Sequence, residues 1–470
     1  MRYVDAVVIG GGSGGLTAAR RLATAGKRTA IIEAGLMGGD CLNWGCVPTK
    51  ALVATAKLRH QMRHAADHGI HVGDIRFDFT GMMARKTRVQ AEIGVEEYRH
   101  YIAEPGVEVI AGTATFTGTR TISVAGEDVR FEQCIIATGS HAAVPAVTGL
   151  EEAGYLTNVT LLQLDHLPQS LAVIGGGPIG CEFAQMFSRF GSTVTVVQRA
   201  DRLLPREEHE ASTTLAAVFA REGIGVRLQA TVRHVALHHG RRVLHVVRGG
   251  QESTVEAEAI LVATGRMPNI ASLNLDAAGV KATTRGIVTD EHMCTSAPHI
   301  WAVGDVLGRY QFTHVAAEQG WLAAGRVLGK SGSYSERAVP WCTFTDPEVA
   351  RVGLTEAEAR EKYGDHIQSL VWPFQHVDRT VTMGEPDGFI KILTRTIGLG
   401  GLGGGQVVGA HIVGPAAGEL IGELTMLVAN HLPLGLLART IHVYPTLSLG
   451  VRQAAAQAWE TSPAPQARSE

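Results

Sequence analysis

Two stretches of this chain carry one pattern at one spacing, and no other feature limits its fold as strongly. The first runs DAVVIG to Gly10, places Gly12 and Gly15 after it, continues as LTAARRLATAG and closes on TAIIE at Glu33. The second runs LAVIG to Gly175, places Gly177 and Gly180 after it, continues as CEFAQMFSRFG and closes on TVTVVQ at Gln198. The span from first glycine to strand end is the same, 10 to 33 and 175 to 198. Each stretch predicts a strand, a glycine turn, a helix and a second strand. In that context the glycines let the backbone approach a pyrophosphate at the helix N-terminus. One G-x-G-x-x-G is a weak signal, but its recurrence in context predicts two Rossmann-like dinucleotide-binding domains in an α/β protein.

The last residue of each pattern differs. Glu33 is acidic, as suits ribose hydroxyls, whereas Gln198 is neutral and Arg199 follows it, with Arg202 and Arg206 close behind. A carboxylate would repel a 2′-phosphate, and arginine pairs with phosphate through two parallel hydrogen bonds. The second site is therefore expected to prefer NADPH.

Two further strand runs stop on glycine, IIATGS with Gly139 and ILVATGRMPN with Gly265. IWAVGDVLG delivers Gly304 and Asp305, a carboxylate able to accept hydrogen bonds from ligand hydroxyls. Residues 1–145 and 268–338 are thus expected to form one nucleotide-binding domain interrupted by a second, 146–267. The character changes over 339–460, and 461–470 are expected to be disordered.

GGDCLNWGCVPTK sets Cys41 and Cys46 five positions apart. Structural zinc would need a second pair, and Cys134, Cys181, Cys294 and Cys342 occur singly. A disulfide is the other reading. Positions i and i+5 of a regular helix lie about 8–9 Å apart at Cα, beyond bridging range. The helix start must then be distorted, which Asn43 and Gly45 could supply. Such a bridge is of the labile kind, and a thiolate at a helix N-terminus has a lowered pKa.

Hydrophobic content of 45%, charged content of 19% and a net charge of −3 suit an ordinary globular protein. They offer no basic stripe for nucleic acid. MRYVDAVVIGGG lacks the parts of a secretory signal, and no apolar run reaches membrane-spanning length. The expected location is cytoplasmic, where a Cys41–Cys46 bridge would be catalytic and not structural.

Taken in order, the cysteine pair, both fingerprints, both ATG strands and the GD strand resemble the class I pyridine nucleotide–disulfide oxidoreductases, over about residues 3–459. These include glutathione reductase, dihydrolipoamide dehydrogenase and mercuric reductase. The resemblance implies FAD in the first site and NADPH in the second, with Asp305 on the ribityl chain and Thr313 and His314 near the flavin pyrimidine. It places Lys50 near flavin N5, paired with Glu182. It makes Cys46 the charge-transfer thiolate beside the flavin and Cys41 the outer sulfur that meets the acceptor. It assigns 339–460 to an α+β dimerisation domain and implies a homodimer whose active site the partner chain completes.

Disulfide-reducing members carry H-x-H-P-T-x-S-E near the C-terminus. Here the run is IHVYPTLSLG: His442 matches, but Tyr444 stands at the base position and Leu449 at the glutamate position. Tyrosine does not titrate near neutrality, so disulfide reduction is disfavoured. Mercuric reductase resembles the chain better here, since it carries tyrosine at that place. Against it, the tail lacks a cysteine pair, and no extra metal-binding domain is expected before Met1. Asp40 replaces the usual threonine and adds negative charge near the pair. The expected activity is NADPH-dependent reduction of a metal ion such as Hg(II), a quinone or another small acceptor. Its rivals are a dihydrolipoamide dehydrogenase or glutathione-type reductase and, in another class, a flavoprotein redox sensor or complex subunit.

Other features have plainer readings. His60, His64 and His68 recur every four residues, as an exposed helix face would; the same spacing could chelate a metal, but no metal site is assigned to them. IGLGGLGGGQ, Ile397 to Gln406, reads as a hairpin loop between FIKILTR and VVGAHIV. Cys134 and Cys181 read as buried fillers.

Overall fold

β1 (Arg2–Ile9), α1 (Ser13–Thr24) and β2 (Thr29–Glu33) follow the first fingerprint, and β1 and β2 pair in parallel from Ala6↔Thr29 to Ile9↔Ile32. The computed structural model describes residues 2–396 and 403–460. Within it the chain divides into two units, residues 1–168 with 259–335, and residues 169–258 with 336–470.

In the first unit β3 (Glu108–Ala111) extends the sheet beyond β2. On the other side of β1 lies β6 (Glu127–Ile136), followed by β5 (Thr121–Val124) and β4 (Ala114–Gly118). Ile300–Ala302 returns from far along the chain to pair in parallel with β6. Val7, Val8, Ile31 and Ile135 are almost wholly buried, as strands covered on both faces require. The helix Thr313–Val327 packs against α1 backbone to backbone. A Cβ on Gly320 would stand 2.2 Å from the Gly14 carbonyl oxygen, so only glycine permits this approach.

α2 (Gly39–Asn43) and α3 (Cys46–Arg63) are separate helices, broken at Trp44 and Gly45. The distortion expected between the cysteines is thus a full break. It puts Cys41 in one helix and Cys46 at the first position of the next. α3 also ends before the third histidine. The His60 and His64 rings lie tilted with centroids 4.2 Å apart, but His68 lies on a separate 3₁₀ turn, Ala65–His68, so the three do not share a helix face. Among the described residues no group of three His, Cys, Asp or Glu side chains could hold a metal ion.

The second unit begins with Ser170–Ile174, the helix Pro178–Phe190 and Thr193–Val197, and Gly225–Arg227 adds a further parallel strand. An antiparallel meander of Thr231–His238, Arg241–Arg248 and Gln251–Ala257 follows. Past residue 339 a five-stranded antiparallel sheet runs in the order Pro340–Thr343, Glu348–Gly353, Gln406–Gly414, Phe389–Arg395, Ile367–Pro373. Phe389–Arg395 and Gln406–Gly414 do pair, but residues 397–402 of the expected hairpin loop and the tail 461–470 lie outside the described residues. Ile390, Ile412, Leu424 and Val451 belong to this sheet's core. No helix among the described residues is long and apolar enough to cross a membrane.

Candidate active site

The two glycine loops have nearly the same geometry. Gly10 and Gly175 take φ of 107° and 113°, in the left-handed region. A Cβ on Gly15 would stand 1.9 Å from the Gly10 carbonyl oxygen, and one on Gly180 would stand 2.0 Å from that of Gly175. Each helix therefore starts tight against its own turn, with its first N–H groups free to meet an anion. Gly12 and Gly177 are the N-caps.

At the strand ends the loops part. Glu33 accepts hydrogen bonds from the N–H groups of Gly11 at 2.5 Å and Gly35 at 2.7 Å. Gln198 is buried, accepts from the N–H of Gly176 at 3.3 Å and donates to the carbonyl of Arg202 at 3.3 Å. Arg199 beside it is exposed. The neutral glutamine thus braces the loop from inside.

The cysteine pair sits where helix starts converge. A Cβ on Gly39 would stand 2.6 Å from the Cα of Gly12, which fixes α2 against the first glycine loop. Thr313, first residue of its helix, brings its hydroxyl to 3.4 Å from the Cys46 sulfur. Cys46 is exposed and Cys41 partly buried, and both are thiols. Hydrogen bonding to Cys46, then burial and the Cys46 charge, push the Cys41 thiol well up. Cys46 is the first residue of α3.

Asp40 does not leave a bare charge there. Its carboxylate pairs with Arg266 at 3.1 Å, and Arg266 also donates to the Ser140 hydroxyl at 2.8 Å and lies 3.8 Å from Asp305. Burial raises the Asp305 carboxyl, which accepts a 2.6 Å hydrogen bond from Ser140. Gly304 takes φ of 77° and its N–H donates to Gln319. Gly139 and Gly265, which end the two ATG runs, also have positive φ. His314 is exposed and stacks on Phe312.

Residues 4–320 match the family model of the pyridine nucleotide-disulphide oxidoreductases, and residues 339–455 match that family's dimerisation domain. The chain belongs to this family. A dihydrolipoyl dehydrogenase of Chlamydia muridarum is 37% identical over 450 residues, covering 94% of each chain. A mercuric reductase of Bacillus cereus is 35% identical over 452 residues, covering 96% of this chain and 70% of the relative. Among solved structures, the Cu(II) complex of the HOCl-induced flavoprotein disulfide reductase RclA from Escherichia coli is similar. It has a TM-score of 0.86 at 31% identity, covering 97% of this chain and all of that one.

As a pyridine nucleotide-disulphide oxidoreductase the chain is a flavin-dependent enzyme that uses FAD with NAD(P)H as electron donor. The residues present fit FAD: Gly10 and Gly15 form a cradle that a side chain would fill, and Asp305 is a half-buried carboxylate just past the end of a returning strand. Of the site residues expected from sequence, the catalytic Cys41 and Cys46 and the cofactor-binding Thr313 are brought together. Lys50 lies one turn into α3, and Glu182, buried on Pro178–Phe190, accepts from the N–H of Phe344 at 2.9 Å.

In the dimerisation domain Ile441, Val443 and Tyr444 are 93%, 74% and 67% exposed, an apolar strap of the kind that a partner covers. The Tyr444 hydroxyl donates to Asp378 at 3.0 Å, and that hydrogen bond raises its pKa. His442 is held by Glu423 at 3.1 Å and by the carbonyl of Thr440. Sequence reasoning missed Arg266, Asp378 and Glu423. Only Arg266 had a local signal, as the residue after the second ATG.

Proposed function

We propose that this enzyme is NADPH-dependent and passes electrons through Cys41 and Cys46 to a small acceptor, a metal ion or a quinone, rather than to a disulfide. The observation that carries the acceptor choice is Tyr444. Its hydroxyl is engaged with Asp378, and Leu449 stands where a carboxylate would orient a base. General acid–base help to a leaving thiolate is worth roughly a hundredfold to ten-thousandfold, and here it is missing.

FAD, when bound, supplies the chemistry that links a hydride donor to a two-electron sulfur couple. Arg199 takes the 2′-phosphate of the coenzyme, and Glu33 and Asp305 hold hydroxyls of FAD. Lys50 supplies a cation near the reacting ring. The helix start and the Thr313 hydroxyl favour a thiolate on Cys46, while the proton stays on Cys41. The acceptor meets Cys41, with Tyr444 of the partner subunit beside it in a homodimer. A soft metal ion bound by both sulfurs displaces the Cys41 proton to solvent and needs no proton delivered by the protein.

A dihydrolipoyl dehydrogenase is the second reading, favoured by the relative that is 37% identical. A redox sensor would hold the same cysteines without rapid turnover. The test of the electron path is spectral. Two-electron reduction should give a long-wavelength thiolate-to-flavin absorption band, and Cys46→Ser should abolish it with FAD still bound. A band that survives would reverse the assignment of the two sulfurs.

A further inference from the structure

The segment after Gln198 alternates between solvent and core. Arg199 and Arg206 are exposed, whereas Leu203, Leu204, Glu207 and Glu208 are buried. One end is tied to the second glycine loop. The N–H of Leu204 donates to the carbonyl of Gly176 at 2.8 Å, and a Cβ on Gly176 would stand 2.8 Å from Leu203. The other end is tied to a single row of residues across the dimerisation-domain sheet. Trp341, Arg351, His411 and Lys391 are successive cross-strand neighbours in that row.

Each member of the row reaches the segment. Arg351 donates to the carbonyl of Arg206 at 2.5 Å, and Trp341 donates to Glu207 at 2.7 Å. The His411 ring lies 3.5 Å from Glu207 and 3.8 Å from Glu208. Lys391, 2% exposed, lies 3.2 Å from Glu208 and 2.8 Å from Glu210, and the N–H of Glu356 donates to Glu208 at 2.6 Å. Buried ion pairs are a poor source of stability, because desolvation cancels much of their attraction, but they fix geometry where each partner has one place to sit. Arg206 lies between the two anchors, and Arg199 and Arg202 stand between the strand end at Gln198 and the first anchor. The first glycine loop is followed only by the short run Ala34–Gly38, which closes with the N–H of Gly38 on the carbonyl of Gly11.

We infer that Lys391, Arg351 and Trp341 are positioning residues for coenzyme choice. From the dimerisation domain, they hold the Arg199–Arg206 segment where its guanidinium groups meet the 2′-phosphate of NADPH. The inference rests on the NADPH preference proposed above. Its test compares Michaelis constants for NADPH and NADH in the FAD-loaded enzyme, using Lys391→Met, Lys391→Arg, Trp341→Phe and Arg199→Ala.

Lys391→Met should raise the constant for NADPH by about tenfold, on the scale of one charged hydrogen bond, and leave that for NADH within about twofold. The turnover number should hold, and Lys391→Arg should restore the wild-type constant. Trp341→Phe removes one N–H and keeps the packing, so it should show the same selectivity at about threefold. If Lys391→Met fails to fold, Trp341→Phe decides. Equal losses for both coenzymes, or no loss in either variant, would make the row purely structural and overturn the inference. If Arg199→Ala spares NADPH, the underlying preference is wrong. If it impairs NADPH while the row variants do not, only the positioning role falls.

Discussion

The two glycine loops of this oxidoreductase share their turns to within several degrees, yet the residues that close them act differently. Glu33 turns its carboxylate to two backbone N–H groups, whereas Gln198 spends its amide on a brace between Gly176 and Arg202. The comparison separates two tasks. The glycines and the helix start have the form of a pyrophosphate site in both loops, and under the proposed function the strand-end residue with its followers selects the rest of the nucleotide.

The largest effects should come from the glycines, and they should differ by loop. Gly15→Val would force a branched side chain into the Gly10 carbonyl, and the protein should then purify colourless. Gly180→Val should stay yellow but lose reduction by either coenzyme. Absorbance and anaerobic titration check both, with circular dichroism to confirm folding. A yellow Gly15→Val protein would break the equivalence of the loops.

The next effect sharpens the difference between them. Arg199→Ala should cost NADPH about 1.5–3 kcal/mol of binding, the scale of a hydrogen bond to a charged group, and leave NADH nearly unchanged. Steady-state kinetics would reject the phosphate assignment if both coenzymes suffered equally. Gln198→Glu copies the first loop into the second, and a carboxylate beside the 2′-phosphate should lower the preference for NADPH over NADH.

The smallest effect concerns the second unit's extra anchor. Burial opposes the charge on Lys391, but hydrogen bonds to Glu210 and Glu356 outweigh it and push its pKa up to about 12. Burial likewise opposes the charge on Glu356, yet hydrogen bonds from Lys391 and Arg360 push its pKa down to about 2. A depressed carboxylate stabilises the fold above its unfolded pKa and loses that contribution as pH falls through the folded one. The stability gap between wild type and Glu356→Gln should therefore be full above about pH 4.5 and close as pH falls toward about 2. Denaturant titrations at pH 6 and pH 3 would show it, and a gap equal at both would remove Glu356 from the anchor.

What the sequence revealed was local. The fingerprints, Asp305 and the cysteine pair are motifs in which spacing carries the chemistry, and the need for a distorted helix start followed from the reach of a disulfide. What it hid depends on distant partners. Nothing near Asp40 announces Arg266, more than two hundred positions later, and nothing near Tyr444 announces Asp378. Thr313, expected near the flavin, also reaches Cys46 because the Gly14–Gly320 contact fixes its helix, a closeness that no motif encodes. The histidine repeat misled because period four continued in the sequence past the point where α3 stops.

The central claim is that electrons leave through the two sulfurs to an acceptor that needs no proton from the protein. Its most direct test is NADPH oxidation by the purified FAD-loaded enzyme with Hg(II), Cu(II), quinones, lipoamide and glutathione disulfide in turn, in wild type and in Cys41→Ser. The account predicts that lipoamide and glutathione disulfide are poor acceptors and that metal reduction vanishes with Cys41→Ser. Efficient lipoamide or glutathione disulfide turnover by the unmodified enzyme would contradict it.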